Sequence, residues 1–250
     1  MFYQPLGADS HLSGCSKLRG FIFWRYVIVE QKKTRKTAIL VDGGYYRKRA
    51  KALWGEKGAK DRADELIAYC MLHITEPNDP RDLYRIFYYD CPGMTRQIEH
   101  PLTGEIIDFS VGSGTQWTKD FFSALSKKRN VAIRRGELAE SQAFYALKPE
   151  VLTALLAKEK SVDDLEKSDF RLDVKQKGVD MRIGLDASSI AQTKCADQII
   201  LIAGDSDFVP AAKYARRNGI EFILDPMKQY IKQNLMEHID AVETVVNSMV

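Results

Sequence analysis

The chain has 250 residues, 45% hydrophobic and 28% charged, which is enough apolar material to bury a core without disulfide or metal staples and excludes a disordered polymer or a mini-protein. With 37 Lys and Arg against 34 Asp and Glu, the formal charge of +3 excludes a generic polycation and by itself names no partner. The four cysteines, at 15, 70, 91 and 195, are scattered with no C-x-x-C and no adjacent histidine pair, which argues against zinc or a disulfide framework and makes a reducing, cytoplasmic setting the expectation.

Residues 1–34 show no helix or strand period before residue 21 and read as an N-terminal extension, with a single domain expected over 35–250. The apolar run Phe21 to Val29 is too short to cross a bilayer, carries Arg25, and is followed by charge rather than a cleavage site, so neither membrane insertion nor secretion is expected. From Thr37 a continuous apolar run ends in Asp42-Gly43-Gly44, the pattern of a buried strand that stops abruptly. Helical segments follow at 45–56 and 61–74, closed by Pro77 and Pro80, and then a strand over 83–89 finishing in Asp90-Cys-Pro-Gly. The glycine-rich stretch 91–114 reads as loop with a hairpin around Leu102 to Glu105. A helix over 117–128, a strand over 130–138, a polar helical insertion over 148–171 and a helix over 176–194 come next. The final third is a βαβ unit: strand 198–203, turn Gly204-Asp-Ser-Asp207, helix 208–217, strand 220–224. This alternation predicts a three-layer α/β domain around a mostly parallel sheet, elaborated at about 140–175.

In such a sheet ligands bind beyond the carboxyl ends of the strands. Asp42 closes the first strand, Asp205 and Asp207 follow the strand at 198–203, and Asp180 opens a helix that can point to the same edge. Carboxylates gathered there repel unless a cation neutralises them, and oxygen-only ligation with no His or Cys nearby points to Mg²⁺ or Mn²⁺. Asp186, six residues beyond Asp180, falls on another face about 9 Å along the helix and is at most a supporting residue. Each acid also has a structural reading: Asp207 as a helix cap, Asp180 as a dipole complement, Asp42 and Asp90 as turn residues. Basic clusters at 47–51 (Arg47, Lys48, Arg49, Lys51), at 127–135 and at Lys213, Arg216 and Arg217 are candidate phosphate contacts, although charged helix faces are commonly just solvated. Lys177 is a further candidate, and Tyr45, Tyr46 and Trp117 are candidates for stacking unpaired bases. Ser206, with no histidine beside it in sequence, is read as a turn or metal-shell residue that also borders the substrate, not as a nucleophile.

Three segments, Ile-Leu-Val-Asp-Gly-Gly-Tyr-Tyr (39–46), Gln-Lys-Gly-Val-Asp-Met-Arg-Ile-Gly-Leu-Asp (176–186) and Leu-Ile-Ala-Gly-Asp-Ser-Asp-Phe-Val-Pro-Ala-Ala-Lys (201–213), together resemble the bacterial NYN domain family over roughly 36–240. This is a branch of the PIN-like nucleases that includes the LabA-like proteins. The resemblance implies a PIN-like fold and a metal-dependent ribonuclease site, with the family's first-strand acid at Asp42, its helix-start acid at Asp180 and the acids of its G-D-S-D-F turn at Asp205 and Asp207. Where many members carry Asn or Ser shortly after the first acid, this chain has Gly43-Gly44-Tyr45, which would let a phosphate approach the backbone. RNA is the expected partner on this resemblance. The rival of the same fold is an RNA-binding regulatory module with little or no hydrolysis. A haloacid-dehalogenase phosphatase is disfavoured because Gly44 stands where its second aspartate is required, and neither dinucleotide nor P-loop glycine motif follows the first strand. Candidate interfaces between copies of the chain are the 140–175 elaboration and the C-terminal segment 236–250.

Overall fold

The structure, a computed structural model, describes residues 34–75 and 79–246; the expected N-terminal extension, Thr34 apart, and the last four residues of the 236–250 segment lie outside the described residues. Strand β1 (Arg35–Asp42) leads through helices α1 (Gly43–Trp54) and α2 (Ala59–Ile74) to β2 (Arg81–Asp90). A short hairpin, β3 (Gln97–Glu99) and β4 (Ile106–Asp108), precedes α3 (Ser113–Ser126), β5 (Val131–Arg135) and β6 (Glu137–Leu138). The elaboration contributes β7 (Phe144–Leu147), α4 (Pro149–Leu156), β8 (Phe170–Asp173) and β9 (Gln176–Lys177). The chain then runs α5 (Val179–Thr193), β10 (Gln198–Ile202), α6 (Val209–Arg217), β11 (Glu221–Asp225), α7 (Gln233–Met236) and β12 (Ala241–Val242).

Six strands form one parallel sheet in the order β12-β11-β10-β1-β2-β5. Period-two alternation sends successive side chains of the central strands to opposite layers. Ala38 and Leu40, Phe87 and Tyr89, and Ile199 and Leu201 meet Ile183, Ile190, Ala211 and Ala215 of α5 and α6. Ile39 and Val41, Ile86 and Tyr88, and Ile200 and Ile202 meet Tyr46, Leu66, Tyr69 and Phe121 of α1, α2 and α3. The fold is thus the expected three-layer α/β domain, with buried aliphatic side chains each contributing about 1.5–3 kcal/mol. No helix among the described residues is long and apolar enough to cross a membrane.

Two expectations need correction. The 148–171 segment is helical only over α4; beyond it Ser161 and Asp164, then Glu166 and Asp169, bond to neighbouring backbone amides and close short turns instead. Its end is not helical either, since β8 pairs antiparallel with β7, and this pair packs against the loop of the β3–β4 hairpin, with the His100 ring 4.7 Å from Tyr145 and 5.0 Å from Phe170. The helix expected from 176 starts at Val179, because Gln176 and Lys177 pair with Leu138 and Glu137 as an antiparallel ladder. That ladder holds the first turn of α5 at the carboxyl edge of the sheet.

The connectivity creates one crevice. From β1 the chain builds outward through β2 to β5, then returns to the other side of β1 as β10. The two connections diverge between β1 and β10, which is where an open α/β sheet leaves room for a ligand. Val41 pairs with Ile202, so the two strands end level and deliver Asp42 and the Gly204–Asp207 turn to the same rim.

Candidate functional site

Asp42 is the last residue of β1 and the cap of α1, its Oδ1 accepting a hydrogen bond from the Tyr45 amide at 3.1 Å. It is held this closely because Gly43 lies against the neighbouring strand: a Cβ at Gly43 would stand 2.5 Å from the Tyr88 ring and 2.7 Å from the Tyr89 carbonyl oxygen. Gly43 is therefore a packing requirement. Gly44 differs, with open contacts of 3.5 Å to Asp42 Oδ1 and 3.6 Å to Gln176 Oε1, so the backbone there does face the crevice. Across the rim, Asp205 and not Asp207 is the capping acid: its Oδ1 accepts from the Asp207 amide at 3.2 Å, which leaves the Asp207 carboxylate exposed. Asp180, second residue of α5, is exposed on the third side.

The electrostatics bring the four together. Burial, then the charges of Asp180 and Asp90, push the Asp42 carboxyl up to about 6 despite the opposing Tyr45 and Gly44 amides. Burial, then Asp205 and Asp207, raises Asp180. Among the described residues none of these four acids is in an ion pair, whereas Asp90 has Arg47 and Asp186 has Arg134. They repel without a protein cation to offset them, and their donor atoms are all oxygen, the set that suits a hard divalent ion. They are not drawn onto one point: among the described residues no three His, Cys, Asp or Glu side chains are arranged to grip a metal directly. That spacing is compatible with Mg²⁺, which takes one or two carboxylates and keeps several waters, and not with an all-protein cage.

Asp186 lies outside this group, accepting from the Tyr89 hydroxyl and from Arg134 Nε, each at 2.8 Å, and so ties α5 to β2 and β5. Asp90 is fully buried; it accepts from Arg47 and the Tyr88 hydroxyl at 3.0 and 2.9 Å and from the Cys91 amide at 2.8 Å. Burial pushes its carboxyl up against the pull of those partners.

The expected substrate contacts divide sharply. Tyr46 has no exposed surface and bonds to Glu65, so it has no face to offer a base. Tyr45 is half-buried, its ring packed under Gly204 and its hydroxyl donating to the Pro226 carbonyl at 2.5 Å; it locks the rim together. Trp117 stacks on Phe121 at 5.0 Å and donates to the Lys57 carbonyl. Arg47 is committed to Asp90, and Arg49 to the Met227 carbonyl. Lys213 belongs elsewhere: with Arg216, Arg217 and His238 it lines a hollow of about 630 Å³ that includes Glu221, the first residue of β11, at the opposite edge of the sheet. Lys48 and Lys177 are exposed, and Ser206 sits on the rim with Lys232 Nζ 3.5 Å from its hydroxyl.

Two residues near the rim had no assigned role in the sequence. Gln176 reaches over Gly44, and only its place in the Gln-Lys-Gly-Val-Asp segment hinted at this. Lys232 follows β11, in a stretch where lysines and a tyrosine alternate, Lys228-Gln-Tyr-Ile-Lys232. Beside the acids a groove of about 470 Å³ runs along Arg47, Gly93, Asp108, Gly114 and Gln176, from α1 toward the β3–β4 hairpin.

The family model for the NYN domain matches residues 114–241. That span contains Asp180, Asp205 and Asp207, while Asp42 lies outside it on the central strand. A solved protein of unknown function from Vibrio parahaemolyticus RIMD 2210633 aligns over 86% of this chain and 96% of its own, at 13% identity and a TM-score of 0.43. No curated protein matches.

Proposed function

Because the chain belongs to the NYN domain family, whose fold is nuclease-like, we propose that it is a metal-dependent ribonuclease that hydrolyses RNA phosphodiester bonds. The observation that carries this reading is the placing of four acids around the switch point, none of them in an ion pair among the described residues, with Asp42 and Asp180 raised by burial and by neighbouring carboxylates. Asp42, Asp180, Asp205 and Asp207 would hold one or two Mg²⁺ or Mn²⁺ ions. Such an ion, when bound, supplies positive charge at a non-bridging phosphate oxygen and lowers the pKa of a coordinated water.

The remaining work falls to the chain itself. The capping bonds of Asp42 and Asp205 hold both carboxylates in place before any ligand arrives, so less ordering accompanies binding. The open backbone at Gly44 and the Gln176 amide border the acids on one side, and Ser206 with Lys232 borders them on the other. A phosphate between them meets hydrogen-bond donors on two flanks, and the groove past Gly93 gives the strand a path away. No side-chain nucleophile is required, in keeping with Ser206 having a lysine and, among the described residues, no histidine bonded to its hydroxyl.

The open spacing of the acids favours a second reading, an RNA-binding module of the same fold that does not cleave. Incubating the purified chain with single-stranded and structured RNA in Mg²⁺, Mn²⁺ or EDTA separates the two. Cleavage abolished by EDTA, with a melting temperature raised by Mn²⁺ in the absence of RNA, is the expected result. RNA binding insensitive to EDTA and without cleavage selects the module.

A further inference from the structure

The loop between β11 and α7 is built in an unusual way for a connection at a sheet edge. Met227 and Lys228 both adopt left-handed backbone, with φ of 46° and 63°, although neither is glycine. Such a conformation persists only where its surroundings over-determine it, and here they do. Arg49 donates to the Met227 carbonyl through Nε and Nη2 at 3.2 and 2.9 Å, and the Met227 amide donates to Asp225 at 2.8 Å. Tyr45 holds the Pro226 carbonyl, and the Met227 side chain is fully buried in the core. On the far side Ile231 packs into the opposite core layer and Leu235 is fully buried.

Between these anchors Tyr230 stands 84% exposed, the most exposed large hydrophobic side chain among the described residues. A single solvated tyrosine is ordinary. This one is raised on a braced backbone, has exposed lysines two positions away on either side, and lies two residues from the lysine that touches Ser206 of the acidic turn. An exposed aromatic face on a braced loop, with flanking cations, suits a partner with a flat apolar ring and a negative charge at each repeat, which is an unpaired nucleotide strand.

We propose that Tyr230, with Lys228 and Lys232, is a single-strand clamp: the tyrosine stacks on an unpaired base next to the scissile phosphate, and the lysines hold the adjoining phosphates. This rests on the ribonuclease reading and sharpens it, because it makes unpaired RNA the preferred substrate. Bases inside a duplex are already stacked and present no face to the ring.

The test is fluorescence anisotropy of the full chain in EDTA, using a labelled oligoribonucleotide alone and annealed to its complement, alongside cleavage in Mn²⁺. Tyr230→Ala is expected to weaken single-strand binding by about 5- to 150-fold with duplex binding unchanged, and Tyr230→Phe to stay near wild type. The double variant Lys228→Gln, Lys232→Gln is expected to lower the slope of log affinity against log salt by about 1.4, as for two phosphate contacts on a single strand. If Tyr230→Ala binds single strands as wild type does while wild type cleaves, the clamp is wrong and the ribonuclease reading stands. If wild type neither binds nor cleaves RNA, the ribonuclease reading fails and takes the clamp with it. A Tyr230→Ala protein that changes only its oligomeric state in sedimentation assigns the ring to a contact between copies and overturns the clamp.

Discussion

Four acids mark the carboxyl ends of four adjacent strands: Asp90 ends β2, Asp42 ends β1, Asp225 ends β11, and Asp205 lies three residues past β10. The outer two are fully buried and supplied with partners, Asp90 by Arg47 and Tyr88, Asp225 by Tyr69, by His73 at 2.8 Å and by the Met227 amide. The inner two accept only from backbone amides and have no ion-pair partner among the described residues, and burial with the charges of Asp180 and Asp90 raises the Asp42 carboxyl. The same residue type at the same rim of the sheet therefore serves two ends. Where a cationic side chain packs beside it, the acid is part of the scaffold; where none does, the carboxylate stays uncompensated at the rim, which is the basis of the proposed metal site.

This contrast can be broken by substitution. Asp42→Asn or Asp205→Asn should lower RNA cleavage by about 10²–10³-fold, the usual scale for losing one electrostatic contact in a preorganised site. Their melting temperatures in EDTA should be no lower than wild type, since Asn still caps and the repulsion is relieved, and the rise produced by Mn²⁺ should disappear. A fully active Asp205→Asn protein would sink the site. Asp90→Asn should instead cost about 3 kcal/mol of stability, the low end for breaking a buried pair because Arg47 is partly exposed. Thermal melts should show that loss equally with and without Mn²⁺.

Smaller effects test the bracing of the inner pair. Gly204→Ala drives a methyl group into the Tyr45 ring and should cost about 1–3 kcal/mol, displacing the acidic turn, whereas Gly44→Ala meets nothing closer than 3.5 Å and should stay within about 0.5 kcal/mol. Denaturant unfolding of the two variants separates the positions. The outer pair should also leave a pH signature. Burial works against the charged His73 ring, but bonds to Asp225 and Glu243 prevail and raise it above its ordinary 6.5. Its contribution is complete below pH 6.5 and is lost as pH rises through the raised folded value. Burial opposes the Glu243 charge, yet His73 and Arg81 hold its carboxyl down at about 2, so its contribution is complete above its ordinary 4.5 and fades as pH falls toward 2. Melting temperature against pH should thus be highest between about 4.5 and 6.5 for this cluster, and His73→Gln should flatten the alkaline limb.

Much of the molecule was legible in one dimension because its central strands are buried on both faces and read as unbroken apolar runs ending in acids or glycine. The alternation of those runs with helical periods implied the parallel three-layer fold, and the spacing of Asp42, Asp180, Asp205 and Asp207 implied that they could share an edge. Local patterns misled where competing bonds decide the outcome. Ser161 and Glu166 turned an apparent helix into short turns, and the pairing of Gln176 with Leu138 delayed α5.

The parallel three-layer fold, and the segments that carry the acids of the proposed site to its rim, were therefore determined by the sequence alone. Which acids remain uncompensated was decided only by tertiary structure, because that depends on whether a distant cation packs alongside, as Arg47 does at Asp90 and His73 at Asp225. The same holds for the aromatics. Tyr45, Tyr46 and Tyr230 are equivalent as letters; packing buries the second, ties the first to Pro226, and leaves the third facing solvent beside the acidic turn. Charge compensation and exposure are properties of neighbours brought together from far along the chain, and no local pattern encodes them.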